Sequence, residues 1–312
     1  MTKWKLFDIF RALFAFLLIY FLISYVGLDK LITTLMSANP FYLSVAILLM
    51  AIVIGLNSLA LLVLIKTLAK FEAWAFFKKY ISSWAFGTIL PGRLGDFSLG
   101  FILKKQIPAS KVFVVVLVDK LITLFIYSFL TIFGISYFFT DIDAFNAIAI
   151  ILAFWLVLLI ALFSNKVREL AVNLLLKYFK THKLAITYFS ETLTFILTKN
   201  KKSLGQNFIL TIIRLITITL IFYTLFLSFN VTANWLHLMI IVAISTIIAL
   251  IPISINGLGI RELSFVFLCT QIGIPEPISA SAAFVSTAFD YVIAGVIIAY
   301  NLSAKVIKID KK

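Results

Sequence analysis

Polar residues divide this chain into eight long apolar stretches, and six of these are unbroken. The runs at 6–27, 41–65, 112–139, 145–163, 207–229 and 278–303 each hold about the 18 or more residues that a helix needs to cross a ~30 Å hydrocarbon core. The other two, 80–103 and 235–273, are apolar at both ends and interrupted in the middle. The first interruption reads "LPGRLGDFSLG", Leu90 to Gly100, and the second "IPISINGLGIREL", Ile251 to Leu263. Each contains proline, glycine, an arginine and a carboxylate. Proline removes a helix donor and clashes with the preceding turn, while glycine admits positive φ and close backbone approach. Both stretches therefore predict a helix in, a break, and a second helix.

Composition narrows the class. At 63% hydrophobic residues and a mean hydropathy of +1.13, the chain is no soluble globular domain. It reads as an all-α polytopic membrane protein. The first run follows Lys3 and Lys5, but it is long and no small-x-small cleavage site follows it, so it reads as a retained span. The single Cys269 excludes an internal disulfide. His182 and His237 lie far apart, and no Cys/His cluster has metal-ligand spacing, so neither metal nor cofactor is expected.

The net charge of +14 would point to nucleic acid in a soluble protein. Here its placement points elsewhere. Twenty-two of the 27 basic residues fall in five clusters, Lys3–Arg11, Lys66–Lys79, Lys104–Lys111, Lys166–Lys202 and Lys305–Lys312. The intervening connections, Asp29-Lys30, Asp141–Asp143, Asn230–Asn234 and Pro275–Pro277, are poor in base. The positive-inside rule puts the clusters and both termini in the cytoplasm, with the chain in the cell membrane. Membrane lipids, not nucleic acid, become the expected partners.

With Lys78-Lys79 and Lys104-Lys105 both inside, 80–103 must re-enter rather than cross. By the same reasoning 235–273 re-enters from outside. One membrane domain, 1–312, then divides into halves 1–140 and 145–303, each with two spans, a hairpin and another span, oppositely oriented. Broken segments at matching places in inverted halves point to a transport site near the midplane. The alternative is a plain eight-span bundle. The loop 164–206 mixes apolar and basic residues at near-helical spacing. It reads as one or two cytoplasmic helices at the lipid interface or packed on the bundle's inner face.

Candidate site residues follow from the breaks. Pro91, Gly92, Gly95, Pro252, Asn256, Gly257 and Gly259 shape the turns. Asp96 and Glu262 are placed to cap and charge-match the returning half-helices. Arg93 and Arg261 stand beside those N-termini, where free N–H groups and a planar guanidinium fork suit a phosphate. Mutual neutralisation of each arginine by its carboxylate is the competing role. A charge at mid-bilayer costs at least ~2.5–3.5 kcal/mol on insertion scales, so each needs a reason. Asp290 lies near the middle of the last span, positioned for proton coupling or for pairing with an arginine. Asp119, Lys120 and Arg214 are secondary candidates, and the two cations have the option of snorkelling to the cytoplasmic face. Asp141 to Asp143 form an Asp-x-Asp triplet whose simplest reading is a short acidic outer loop.

The motifs "LPGRLGD" and "PISINGLGIRE" resemble the flippase-like family, the transmembrane region of bacterial lysylphosphatidylglycerol synthases and stand-alone relatives. The resemblance covers nearly the whole chain. Asp96 stands for the usual Glu, Asn256 for a Gly, and Lys120 for an Arg in the acid-Arg segment. The resemblance implies movement of a phospholipid or lipid-linked anionic molecule between leaflets. The soluble lysine-transferring domain of the synthases is expected to be absent.

Three functions are compatible with these residues. A flippase-like binder or translocator of anionic lipid leads. A secondary transporter of a small anionic solute would have a closed aqueous path instead of a lateral opening. A membrane partner of an envelope lipid or glycan enzyme is the third. An enzyme is not expected, because no nucleophile–base pair assembles from these residues.

Overall fold

The computed structural model describes residues 3–89, 95–138, 144–178, 183–250, 254 and 257–309. All the secondary structure among them is helical. The helices are α1 (Lys3–Val26), α2 (Leu28–Met36), α3 (Pro40–Ile65), α4 (Ala73–Ile89), α5 (Gly95–Ile102), α6 (Ala109–Phe138) and α7 (Ala144–Phe163). They continue with α8 (Asn165–Tyr178), α9 (Lys183–Lys199), α10 (Lys201–Ser228), α11 (Trp235–Ile248), α12 (Ile260–Gln271) and α13 (Glu276–Ile309). Five helices, α3, α6, α7, α10 and α13, are long and apolar enough to cross a membrane, and the bent pair α1–α2 raises this to six. This is a multi-pass helical membrane protein.

Helix termini follow local chemistry. Asn39 caps α3 by accepting the Phe41 N–H at 2.9 Å, with Pro40 at the first helical position. Asn234 caps α11, accepting from Leu236 and His237. Gly27, at φ +91°, turns the chain through 82° between α1 and α2. Asp29 and Lys30 thus sit on a short helix, where the sequence pattern showed only a connection.

The helix pairs α4–α5 and α11–α12 each organise a core. Leu99 of α5 and Phe76 of α4 pack with Leu64, Val115 and Ile196 around the first. Phe265 of α12 and Ile241 of α11 pack with Met50, Tyr127 and Phe226 around the second. The longest helix contact runs between α3 and α10. Small and polar residues there, including Ser58, Ala60 and Thr211, let the backbones approach. The two pairs then reach across: α4 packs on α13, and α11 packs on α6.

At one end, Lys79 donates to Gln106 at 2.8 Å, which brings the start of α4 next to the segment following α5. Ser83 and Ser98 join the two arms deeper in, at 2.7 Å. α4 begins at Ala73, seven residues before the run read from hydropathy, so the entering arm is longer than expected. Of the two helices in 164–206, α9 buries Leu193, Ile196 and Leu197 against the bundle. That helix packs on the bundle rather than lying free at the interface. α7 is the opposite case, with Phe145, Ile150 and Val157 left to the bilayer.

Candidate functional site

Two arginine–carboxylate clusters face one cavity of about 530 Å³. The first is built by the start of α12. Gly257 and Gly259 hold φ of +76° and +84°, a backbone that only glycine adopts without strain. Both positions are also crowded. A Cβ on Gly257 would meet Ala249 Cβ at 2.7 Å, and one on Gly259 would meet Leu18 Cβ at 2.6 Å. The tight turn places Glu262, fully buried, at the third residue of α12. Its Oε2 accepts the Gly259 N–H at 2.7 Å, which satisfies a helix-terminal donor. Its Oε1 accepts from Thr287 Oγ1 at 2.7 Å and from Arg261 Nη2 at 3.1 Å and Nε at 3.2 Å.

Arg261 Nη2 also donates to Thr287 at 2.8 Å. Asp290, on the adjoining turn of α13, adds further negative charge near the guanidinium. The Arg261 side chain is 27% exposed, and among the described residues its Nη1 makes no hydrogen bond. The carboxylate thus fixes the plane of the fork while part of the fork stays open.

The second cluster lies where α3, α6 and α10 meet. Asp119 is 1% exposed and Arg214 5%, and they pair at 3.7 Å. Asn207 donates to Asp119 Oδ1 at 3.0 Å and to the Ala60 carbonyl at 2.9 Å. Arg214 donates to Asn57 at 2.7 Å, to Thr123 at 2.5 Å and to Thr211 at 3.3 Å. Arg214 is therefore drawn inward to a buried carboxylate and does not snorkel. A paired partner inside is closer than the headgroup layer for a guanidinium near the middle of a 28-residue helix. Lys120 is 42% exposed, lies 3.8 Å from Asp119, and lines the cavity.

The cavity wall thus joins Lys120 and Arg214 to Arg261, Glu262 and Asp290, with apolar side chains such as Met50 and Phe222 between them. Pro91, Gly92, Arg93, Pro252, Asn256 and Asp141–Asp143 lie outside the described residues, as does the side chain of Asp96. Gly95 opens α5. Sequence reasoning missed Asn57, Asn207 and Thr287. An asparagine within "VIGLNSLALL" was the one visible signal.

A multi-pass helical protein with a charged, partly apolar cavity at a helix break is the class that the fold and site define. Residues 9–298 match the lysylphosphatidylglycerol synthase transmembrane region, and the chain belongs to that family. It is also similar to UPF0104 membrane protein MJ1595 of Methanocaldococcus jannaschii, with 24% identity over 305 residues, covering 89% of each chain.

Proposed function

We propose that this protein holds the phosphate of an anionic phospholipid in the cavity and moves that lipid between leaflets, breaking no bond. The observation that carries this is Arg261. Glu262 and Thr287 hold its guanidinium in place, and Nη1 remains for a ligand beside Lys120 and Arg214. A fixed fork with one edge open suits a phosphate oxygen. The cavity falls in the ~300–1,000 Å³ range of small-molecule sites, room for a headgroup with its acyl chains left among the spans.

In this reading, 80–103 and 235–273 are opposed re-entrant hairpins of an inverted repeat, in the cell membrane with both termini cytoplasmic. Helix packing supports it. Exchanging α3, α4, α5 and α6 for α10, α11, α12 and α13 maps the α4–α13 contact onto α11–α6, and α4–α5 onto α11–α12. Broken backbone at membrane depth is tolerated where it lines such a cavity. Arg93, from the first break, would meet the same phosphate.

Reconstituted vesicles test the function. Fluorescent anionic phospholipid should become exposed on the opposite leaflet only when protein is present. Release of an entrapped organic phosphate without lipid movement would mark a transporter of small anions instead. For topology, single cysteines replacing Lys79 and Lys104 in a Cys269→Ser background should both label from the cytoplasmic side. Labelling from opposite sides overturns the re-entrant reading.

A further inference from the structure

The short helix α2 (Leu28–Met36) turns 82° away from α1 at Gly27. α1 is 24 residues long, about 36 Å at 1.5 Å per residue, which already covers a ~30 Å hydrocarbon core. At that angle the nine residues of α2 add only about 2 Å of depth, so they are not needed to complete a span. The order of residues around α2 says where it lies. At about 100° per residue, Leu31, Leu35, Leu28, Ile32 and Met36 fill one continuous arc of ~140°. Asp29, Thr33, Lys30 and Thr34 fill the remainder. Leu31 forms one edge of the apolar arc; it is 3% exposed and packs with Val26, with Val266 of α12 and with Ala280 of α13. The rest of the arc is uncovered, with Leu28 58% exposed, Ile32 45% and Met36 82%. With Leu31 toward the bundle, Asp29 and Thr33 lie on the far side, and Lys30 lies opposite Ile32.

A helix surrounded by water would not leave three large apolar side chains uncovered on one face, and one surrounded by hydrocarbon would not place Asp29 and Lys30 outward. Four different surroundings match this order: the bundle beside Leu31, acyl chains below Ile32, and water beside Thr33 and above Lys30. We propose that α2 is an interfacial helix, lying flat on the bilayer at the end of α1 away from Lys3–Arg11. Leu28, Ile32 and Met36 enter the outermost acyl carbons of that leaflet, and Lys30 stays in water. The uncovered face continues the lipid-facing surface of α1, where Leu17, Phe21 and Tyr25 are exposed, so the lipid that surrounds α1 is the surface that α2 meets. The seat has a structural consequence. Leu18 of α1 lies against Gly259, Tyr25 donates to Glu276 at the start of α13 at 3.4 Å, and α2 packs on α13. The α1–α2 arm thereby ties the helices that carry Arg261 and Thr287 to the membrane surface, whatever the cavity binds.

Nitroxide labels on Lys30→Cys, Ile32→Cys, Thr33→Cys and Met36→Cys test this, one at a time, in the full chain reconstituted into phosphatidylcholine vesicles. All four side chains are exposed, so the substitutions leave the packing in place. Cys269 is buried and is kept, with the unsubstituted chain as the blank. Collisions with oxygen, which concentrates among acyl chains, are compared with collisions with a water-soluble nickel chelate present on both sides of the membrane. The oxygen-to-nickel ratio should be several-fold higher at positions 32 and 36 than at positions 30 and 33. Ratios at 32 and 36 that do not exceed those at 30 and 33 overturn the proposal, whether all four are high, as for a continued span, or all low, as for a helix held in water. Low access of both reagents to positions 32 and 36 also overturns it, because a second copy or another protein would then cover the face. None of these outcomes bears on the phosphate reading of Arg261.

Discussion

The two arginine–carboxylate clusters use the same pair of side-chain types for different ends. At the α3–α6–α10 junction, Arg214 is 5% exposed and spends its donors on Asp119, Asn57, Thr123 and Thr211. At the α12 break, Arg261 is 27% exposed and, among the described residues, keeps part of its fork free. The first arrangement joins three helices and the second presents a cation to a cavity. Burial and the number of internal partners, rather than residue type, separate a pin from a candidate binding group.

Removing one partner of the deeper pair should have the largest effect. Asp119→Ala leaves Arg214 buried without its counter-charge and should cost about 3–5 kcal/mol of stability, read by denaturant or thermal unfolding in detergent. Adding Arg214→Met should restore most of that loss. If the double variant is no more stable than the single one, the Asn57 and Thr123 contacts carry the junction. Next in size is Gly259→Ala. It combines a positive φ with a 2.6 Å approach to Leu18, and should cost roughly 1–3 kcal/mol. A neutral result would mean that α1 gives way at this contact.

Much of this arrangement was legible in the charge map. Five basic residues fall outside the five basic clusters: Lys30, Arg93, Lys120, Arg214 and Arg261. Three of them, Lys120, Arg214 and Arg261, line the same cavity. The reason is physical, since a cation placed inside an apolar run must be compensated. The partners were less legible. Asp119 meets Arg214 only because α6 and α10 pack, and a helix wheel does not say which neighbour a face will meet. Thr287 was hidden for the same reason. α2 escaped because its polar Asp29-Lys30 pair marks a connection between spans, although Leu28–Met36 is amphipathic at helical spacing, and the turn rests on Gly27 alone.

Smaller changes sharpen the contrast at the cavity. Asp290→Asn should lower the transport rate with expression nearly normal, because the charge lies near the Arg261 guanidinium at the cavity and away from the Asp119–Arg214 pin. A variant with full activity across pH would make Asp290 a tolerated polar residue with no part in proton coupling.

Arg261→Lys keeps the charge and loses the fork. Its effect on phospholipid movement in reconstituted vesicles, measured beside thermal unfolding of the same preparation, separates binding from pinning. If Arg261 holds the lipid phosphate, transport should fall by about 10-fold, the scale of one lost charge-assisted hydrogen bond, with stability lowered by about 1 kcal/mol or less. Transport that persists while stability drops by several kcal/mol would contradict the binding role and make this cluster a second pin.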